Sequence, residues 1–332
     1  MKIDVFAHVL PPRYLEERNR RAGDRFTSQY KKYSSAVPAL SDLETRFRVM
    51  DKFPDVKQLL TIAGPNIESI TEPEDTVEVA RIANDEMAKL VSDHPARFVG
   101  AVTCMPMNDM DAALREAERC IDELDFHGVE IFTDINGKPL DSAEFFPLYE
   151  MMEINGLPII LHPRRTNTTP DYPGEEKSKY LTYTNFGWPY VTSLAMARLA
   201  FGVFVKHPKL KVLTHHGGGM IPFFHKRAEF SWELHETCMD YDFDGAPLEK
   251  NPIDYYRMFY CDTVLQGNVP ALMCAFDFFG ADQMLFATDT PYDSQMGEKV
   301  YRATLAAVEA MDISDADREK IFAGNARRIF RL

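Results

Sequence analysis

Eight short apolar, β-branched runs recur along the chain, and each is followed by a longer stretch whose apolar residues have helical spacing. The runs are 2–8 (KIDVFAH), 57–63 (KQLLTIA), 97–103 (RFVGAVT), 127–133 (HGVEIFT), 157–162 (LPIILH), 210–215 (LKVLTH), 258–263 (MFYCDT) and 283–289 (QMLFATD). Between them stand segments such as DAALREAERCIDEL and SAEFFPLYEMMEING. A parallel strand reaches its neighbour only through a crossover, and a helix makes that crossover, so strand then helix, eight times over, predicts a (β/α)8 TIM barrel. No Gly/Ser-rich linker divides the 332 residues, and the expectation is one domain over 1–332. Polar insertions at about 11–40, 163–187 and 236–254 follow the first, fifth and sixth strands, on the side where such barrels carry their sites.

Charge narrows the choice of partner. A formal net charge of −14 repels nucleic acid and anionic membrane alike, which leaves small molecules. The N-terminus has no apolar segment behind a basic start, and no run approaches the roughly 20 apolar residues of a membrane span, so the chain reads as cytoplasmic. Five cysteines without CxxC spacing suggest neither a disulfide framework nor a cysteine-zinc site and read as small buried apolar residues.

The ends of the predicted strands carry the chemistry. The first ends in His8, the fifth in His162, the sixth in His215 and His216, and the eighth in Asp289. Imidazoles and a carboxylate converging on one rim are the donors a divalent ion needs, and three such ligands leave coordination positions open for chemistry. His216 runs directly into Gly217, Gly218 and Gly219, where backbone order is given up beside a titratable ring and a ligand could approach the main chain. On an alternating strand His215 and His216 face opposite ways, so His215 is expected to be structural or to support a ligand. Asp289 also reads as a helix N-cap in its TDTPY context, and Glu130 as a buried glutamate paired with an arginine.

Several motifs together are specific: IDVFAHVLP, RFRVMD, LPIILHP, GVFVKHPKLKVLTHHGGGMIPFFHKR, LFATDTPY and GNARRIF. In order and spacing they resemble the amidohydrolase superfamily, and within it the branch typified by aminocarboxymuconate semialdehyde decarboxylase, over nearly the whole chain. The resemblance implies that His8, His162 and Asp289 bind one divalent metal, zinc with manganese as the alternative, and that His216 is the catalytic histidine. It places Arg46 and Arg227 on a substrate carboxylate and lets Trp188 and Phe186 wall a flat substrate. It also implies a homodimer. One position departs from the family pattern: the first N-terminal ligand, a histidine or a glutamate there, is Phe6 here, a ring placed to exclude water and press on the substrate. The fourth strand offers no bridging lysine, so the site is mononuclear at most. The implied activity is nonoxidative decarboxylation of an aromatic or muconate-like carboxylic acid. Hydrolysis or hydration by the same residues stays open, as does a barrel that binds a small molecule without turning it over.

Overall fold

The computed structural model describes residues 1–22, 32, 34–62, 64–238 and 248–332. Its strands are β1 (Lys2–Val9), β2 (Val56–Ile62), β3 (Phe98–Ala101), β4 (Thr103–Cys104), β5 (Val129–Phe132), β6 (Pro158–His162), β7 (Lys211–Thr214), β8 (Tyr260–Asp262) and β9 (Met284–Leu285). All pair in parallel, β1 to β3 as one sheet and β4 to β9 as another. The predicted third strand is therefore one stave in two pieces. Its lower half pairs with β2, its upper half with β5, and Val102 between them still donates to Leu60 O at 3.0 Å. The other edge closes through Val5 N to Phe286 O at 3.2 Å and His8 N to Thr290 O at 2.9 Å. Nine segments thus make eight staves of a closed TIM barrel.

Alternation along the staves sorts the residues. Leu59, Val102, Ile160, Leu213 and Leu285 fill the barrel interior, plugged from the N-terminal end by Ile329 and Phe330 of the last helix, Asn325–Phe330. Their neighbours Val129, Ile131, Ile159, Leu161 and Val212 face outward against helix residues such as Tyr149, Met196 and Leu199. Each fully buried aliphatic side chain contributes roughly 1.5–3 kcal/mol through its removal from water.

The insertions have structure of their own. Pro12–Ala22 is helical, and residues 23–31 and 33 of the 11–40 insertion lie outside the described residues. The 163–187 insertion folds around Asp171, whose carboxylate accepts from Thr182 Oγ1 at 2.6 Å, Lys179 N at 3.0 Å and Ser178 Oγ at 3.0 Å. Within 236–254, residues 239–247 lie outside the described residues, and Pro252–Tyr256 is helical. Among the described residues no helix is long and apolar enough to cross a membrane.

Candidate metal centre

His8, His162 and His215 offer ring nitrogens that all lie within 4.8 Å of one another. Asp289 completes the ring, its Oδ1 3.0 Å from His8 Nε2. That contact lacks hydrogen-bond alignment, for His8 Nε2 has no hydrogen-bond partner. Two donors held about 2.1 Å from one divalent ion stand about 3 Å apart, so the spacing fits a shared ion. Orphaned polar atoms gather at this spot: His215 Nε2, His216 Nδ1, Glu130 Oε1 and Asp262 Oδ2 are buried and unpaired too. Buried polar groups are nearly always satisfied, and a cation between the His8 and His215 nitrogens is the simplest satisfaction those donors allow.

Local structure aims each ligand. The β1–β2 register slips between Asp4 and Ala7, a bulge that turns both Val5 and Phe6 into the interior and carries His8 with them. Thr61 Oγ1 then holds His8 Nδ1 at 2.7 Å, leaving Nε2 toward the centre. His162 Nδ1 donates to Pro163 O at 2.9 Å, which fixes the tautomer and leaves the Nε2 lone pair free. Asp289 sits at φ 63°, past the end of β9, and the next helix begins only at Glu298 behind Gly297. Its reading as a helix cap is thereby corrected.

Charge follows burial. Burial, then the neighbouring His8, pushes His162 down to about 3, and His216 is lowered chiefly by burial, so both rings are neutral and have lone pairs near neutral pH. Burial also works on His8, but Asp289, Glu130 and Asp4 outweigh it and raise that ring. Glu130 is pushed up to about 7, mainly by burial. Among the described residues it has no arginine partner, contrary to expectation, and one carboxylate oxygen is unpaired.

Several expected placements change. His215 does not turn away: Leu213 faces the interior, residue 215 has the same parity, and the backbone is still extended there (φ −75°, ψ 160°). His216 breaks the alternation at φ 57°, as do Gly217, Gly218 and Gly219 at 62°, 83° and 63°. The glycines serve protein packing rather than ligand approach, since a Cβ on Gly219 would stand 2.8 Å from Pro189 O. Arg46 is buried and engaged with protein: Nε donates to Gln58 Oε1 at 2.9 Å, and Nη1 to His8 O at 2.7 Å and Ala39 O at 3.3 Å. It braces the end of β1 away from any solvated face, with Nη2 buried and unpaired. Arg227 is exposed on the helix Ile221–Cys238, outside the ring of ligands. Trp188 lies parallel to His216, centroids 6.0 Å apart, and anchors its Nε1 on Arg165 O at 3.0 Å. Phe186 is 71% exposed. Phe6 packs against His215 with ring centroids 3.6 Å apart, fully buried, so it presses on a histidine and not on a substrate.

A cavity adjoins the ring, lined by Ile62, Asn66, Glu68, Met107, Glu130 and Phe132. Phe132 lies 5.0 Å, ring to ring, from His162. Arg164 spans its rim, donating to Asn66 Oδ1 at 3.0 Å and Asp134 Oδ1 at 2.6 Å. Sequence reasoning missed Thr61, Glu68, Arg164 and Asp262. Arg164, two residues past His162, and Asp262, near the end of the 258–263 run, carried a positional signal; Thr61 and Glu68 are brought in by the closure of the barrel.

A parallel eight-stave barrel with histidines and an aspartate at its strand ends defines a class of metal-site enzymes, and residues 3–332 match the Amidohydrolase family. The chain belongs to that family. It is 32% identical over 301 residues to gamma-resorcylate decarboxylase of Polaromonas sp. strain JS666, covering 87% of each chain. It is 28% identical over 347 residues to 2-amino-3-carboxymuconate-6-semialdehyde decarboxylase of Dictyostelium discoideum, covering 100% of this chain and 92% of that one. Among solved structures, 2,6-dihydroxybenzoate decarboxylase complexed with 2,6-dihydroxybenzoate superposes with a TM-score of 0.79 at 26% identity, over 100% of this chain and 99% of that one. Dihydroxybenzoic acid decarboxylase from Polaromonas sp. JS666, with bound manganese and the inhibitor 2-nitroresorcinol, also gives 0.79, at 28% identity over 100% and 97%.

Proposed function

We propose that this protein is a metal-dependent nonoxidative decarboxylase of an aromatic or muconate-like carboxylic acid. The observation that carries the reading is the group of buried, unpaired imidazole nitrogens gathered beside Asp289 at the strand ends. In this reading His8, His162 and Asp289 hold one divalent ion, which when bound draws electron density away from the scissile carboxylate. Zinc suits these nitrogen and oxygen donors, and manganese, bound in the Polaromonas structure, is the alternative. Trp188, parallel to His216, forms one wall for a flat substrate. His216 supplies the proton that the substrate carbon takes up as the C–C bond breaks and carbon dioxide leaves with its two oxygens. Burial keeps the free ring neutral, and an anionic substrate beside it favours its protonated form, so the acid is generated as the substrate arrives.

A homodimer and a cytoplasmic location belong to the same reading. On the helix Ile221–Cys238, Phe223, Phe230 and Leu234 are 77%, 67% and 55% exposed and recur on one face, with Tyr190 and Leu194 exposed on Trp188–Arg198. Arg227 shares that face, so a substrate role for it falls to a second copy's site. Cys104, Cys120, Cys261 and Cys274 are free, as in a reducing compartment. The test is incubation of the zinc- or manganese-loaded protein with a panel of hydroxybenzoates. Carbon dioxide released in equimolar amount with the decarboxylated phenol is expected. Addition of water without gas release would make the protein a hydrolase or hydratase, and ligand binding without turnover a binding barrel.

A further inference from the structure

Family resemblance puts a metal ligand at position 6, and this chain has none there. Phe6 instead occupies the interior next to His8, and its ring packs against His215 at a tilt of 38°, centroids 3.6 Å apart. The side chain that Phe6 touches is itself a potential ligand. We infer that His215, supplied by the end of β7, is a ligand of the metal and replaces the ligand that strand β1 has lost.

Four observations support this assignment. The His215 ring is 1% exposed, so its nitrogens cannot be satisfied by solvent. Its Nε2 has no hydrogen-bond partner. Its donor atom lies within 4.8 Å of those of His8 and His162, and its ring centroid is 4.6 Å from that of His162. Its other nitrogen, Nδ1, stands 3.8 Å from Asp262 Oδ2, too far for a hydrogen bond, and Oδ2 is also unpaired. A merely structural histidine would use these atoms on protein neighbours. Asp262 is itself fixed, accepting on Oδ1 from Gly217 N at 2.7 Å and Val264 N at 3.1 Å. It stands behind His215 without a hydrogen bond to it, and closing the 3.8 Å gap would give the arrangement by which carboxylates orient metal-bound imidazoles. The ligand set becomes His8, His162, His215 and Asp289, three imidazoles and one carboxylate. The exchange between strands is reciprocal: one interior position gives up its donor as the adjoining one gains it.

The inference rests on the metal reading above, and the experiment separates the two. Metal-stripped wild type, His215→Ala and the double variant Phe6→His/His215→Ala are titrated with Mn²⁺, and pulsed EPR counts the histidine nitrogens coupled to the ion. Three nitrogens are expected in wild type and two in His215→Ala. Affinity in His215→Ala should fall by more than about 100-fold, beyond the 10- to 100-fold typical of removing a residue that only orients a ligand. The double variant should regain the third nitrogen and much of the affinity. Two nitrogens in wild type, with unchanged affinity in His215→Ala, would make His215 a packing residue and overturn the inference while leaving a metal enzyme. No uptake by wild type would overturn the metal reading together with it. Should His215→Ala fail to fold, the nitrogen count in wild type decides alone.

Discussion

His216 is the residue on which the proposed chemistry turns. Its ring leaves the strand at φ 57°, lies parallel to Trp188 and keeps Nδ1 unpaired. A proton carrier has to be free in this way, whereas a ligand is spent on its ion. His216→Asn should therefore lower turnover about 10²- to 10⁴-fold while metal content stays at the wild-type level. Loss of metal along with activity would reassign His216 as a ligand. The placement of His8, His162, His216 and Asp289 at the strand ends was legible in the sequence because each stands where an apolar run stops. His215 was misread because alternation was applied to the pair alone. Counted from Leu213, which packs inside the barrel, residue 215 faces inward, and it is His216 whose left-handed backbone escapes the pattern.

At the level of elements, the brace between the helix Leu43–Met50 and strand β1 depends on Arg46. Asp42 caps that helix by accepting from Glu44 N and Thr45 N, which sets the angle at which Arg46 enters the core. Burial lowers the guanidinium to about 10 without discharging it at neutral pH, and its partners include the carbonyl oxygen of a proposed metal ligand. Arg46→Met keeps the bulk and strands those acceptors, so unfolding in urea should show a loss of about 3 kcal/mol, the scale of charged hydrogen bonds left unmade. Unchanged stability with a raised KM would instead restore Arg46 to a substrate carboxylate. The eight staves were legible because period-two apolar runs announce strands. The change of partner at Val102 was not, since it depends on which neighbour each half of the stave meets after closure.

Across the whole molecule, buried acids make stability depend on pH. Burial raises Glu68 to about 7 from an ordinary 4.5. A carboxyl raised on folding favours the folded state fully below its unfolded value, and that contribution disappears as pH climbs through the folded one. Through this group the metal-free protein should lose about 3 kcal/mol between pH 4.5 and 7, at 1.36 kcal/mol per unit. Urea denaturation across that range should show the slope, and Glu68→Gln should reduce it by this group's share, leaving those of Glu130 and Asp262, each raised to about 7. An equal slope in both proteins would place the titration elsewhere.

The division of the barrel wall into β1–β3 and β4–β9 has a mechanical consequence. His8 belongs to the smaller panel, and His162 and His215 belong to the larger, with Asp289 just beyond its last strand. In the proposed reading, an ion held from both sides would act as a rivet across the joint between them. At that joint the amides of Val5 and His8 reach across to Phe286 and Thr290. Chelation should therefore speed deuterium uptake at Val5 and His8 ahead of the amides inside either panel, such as those of β6. Uniform uptake over the whole wall would mean that the barrel holds itself shut without the rivet.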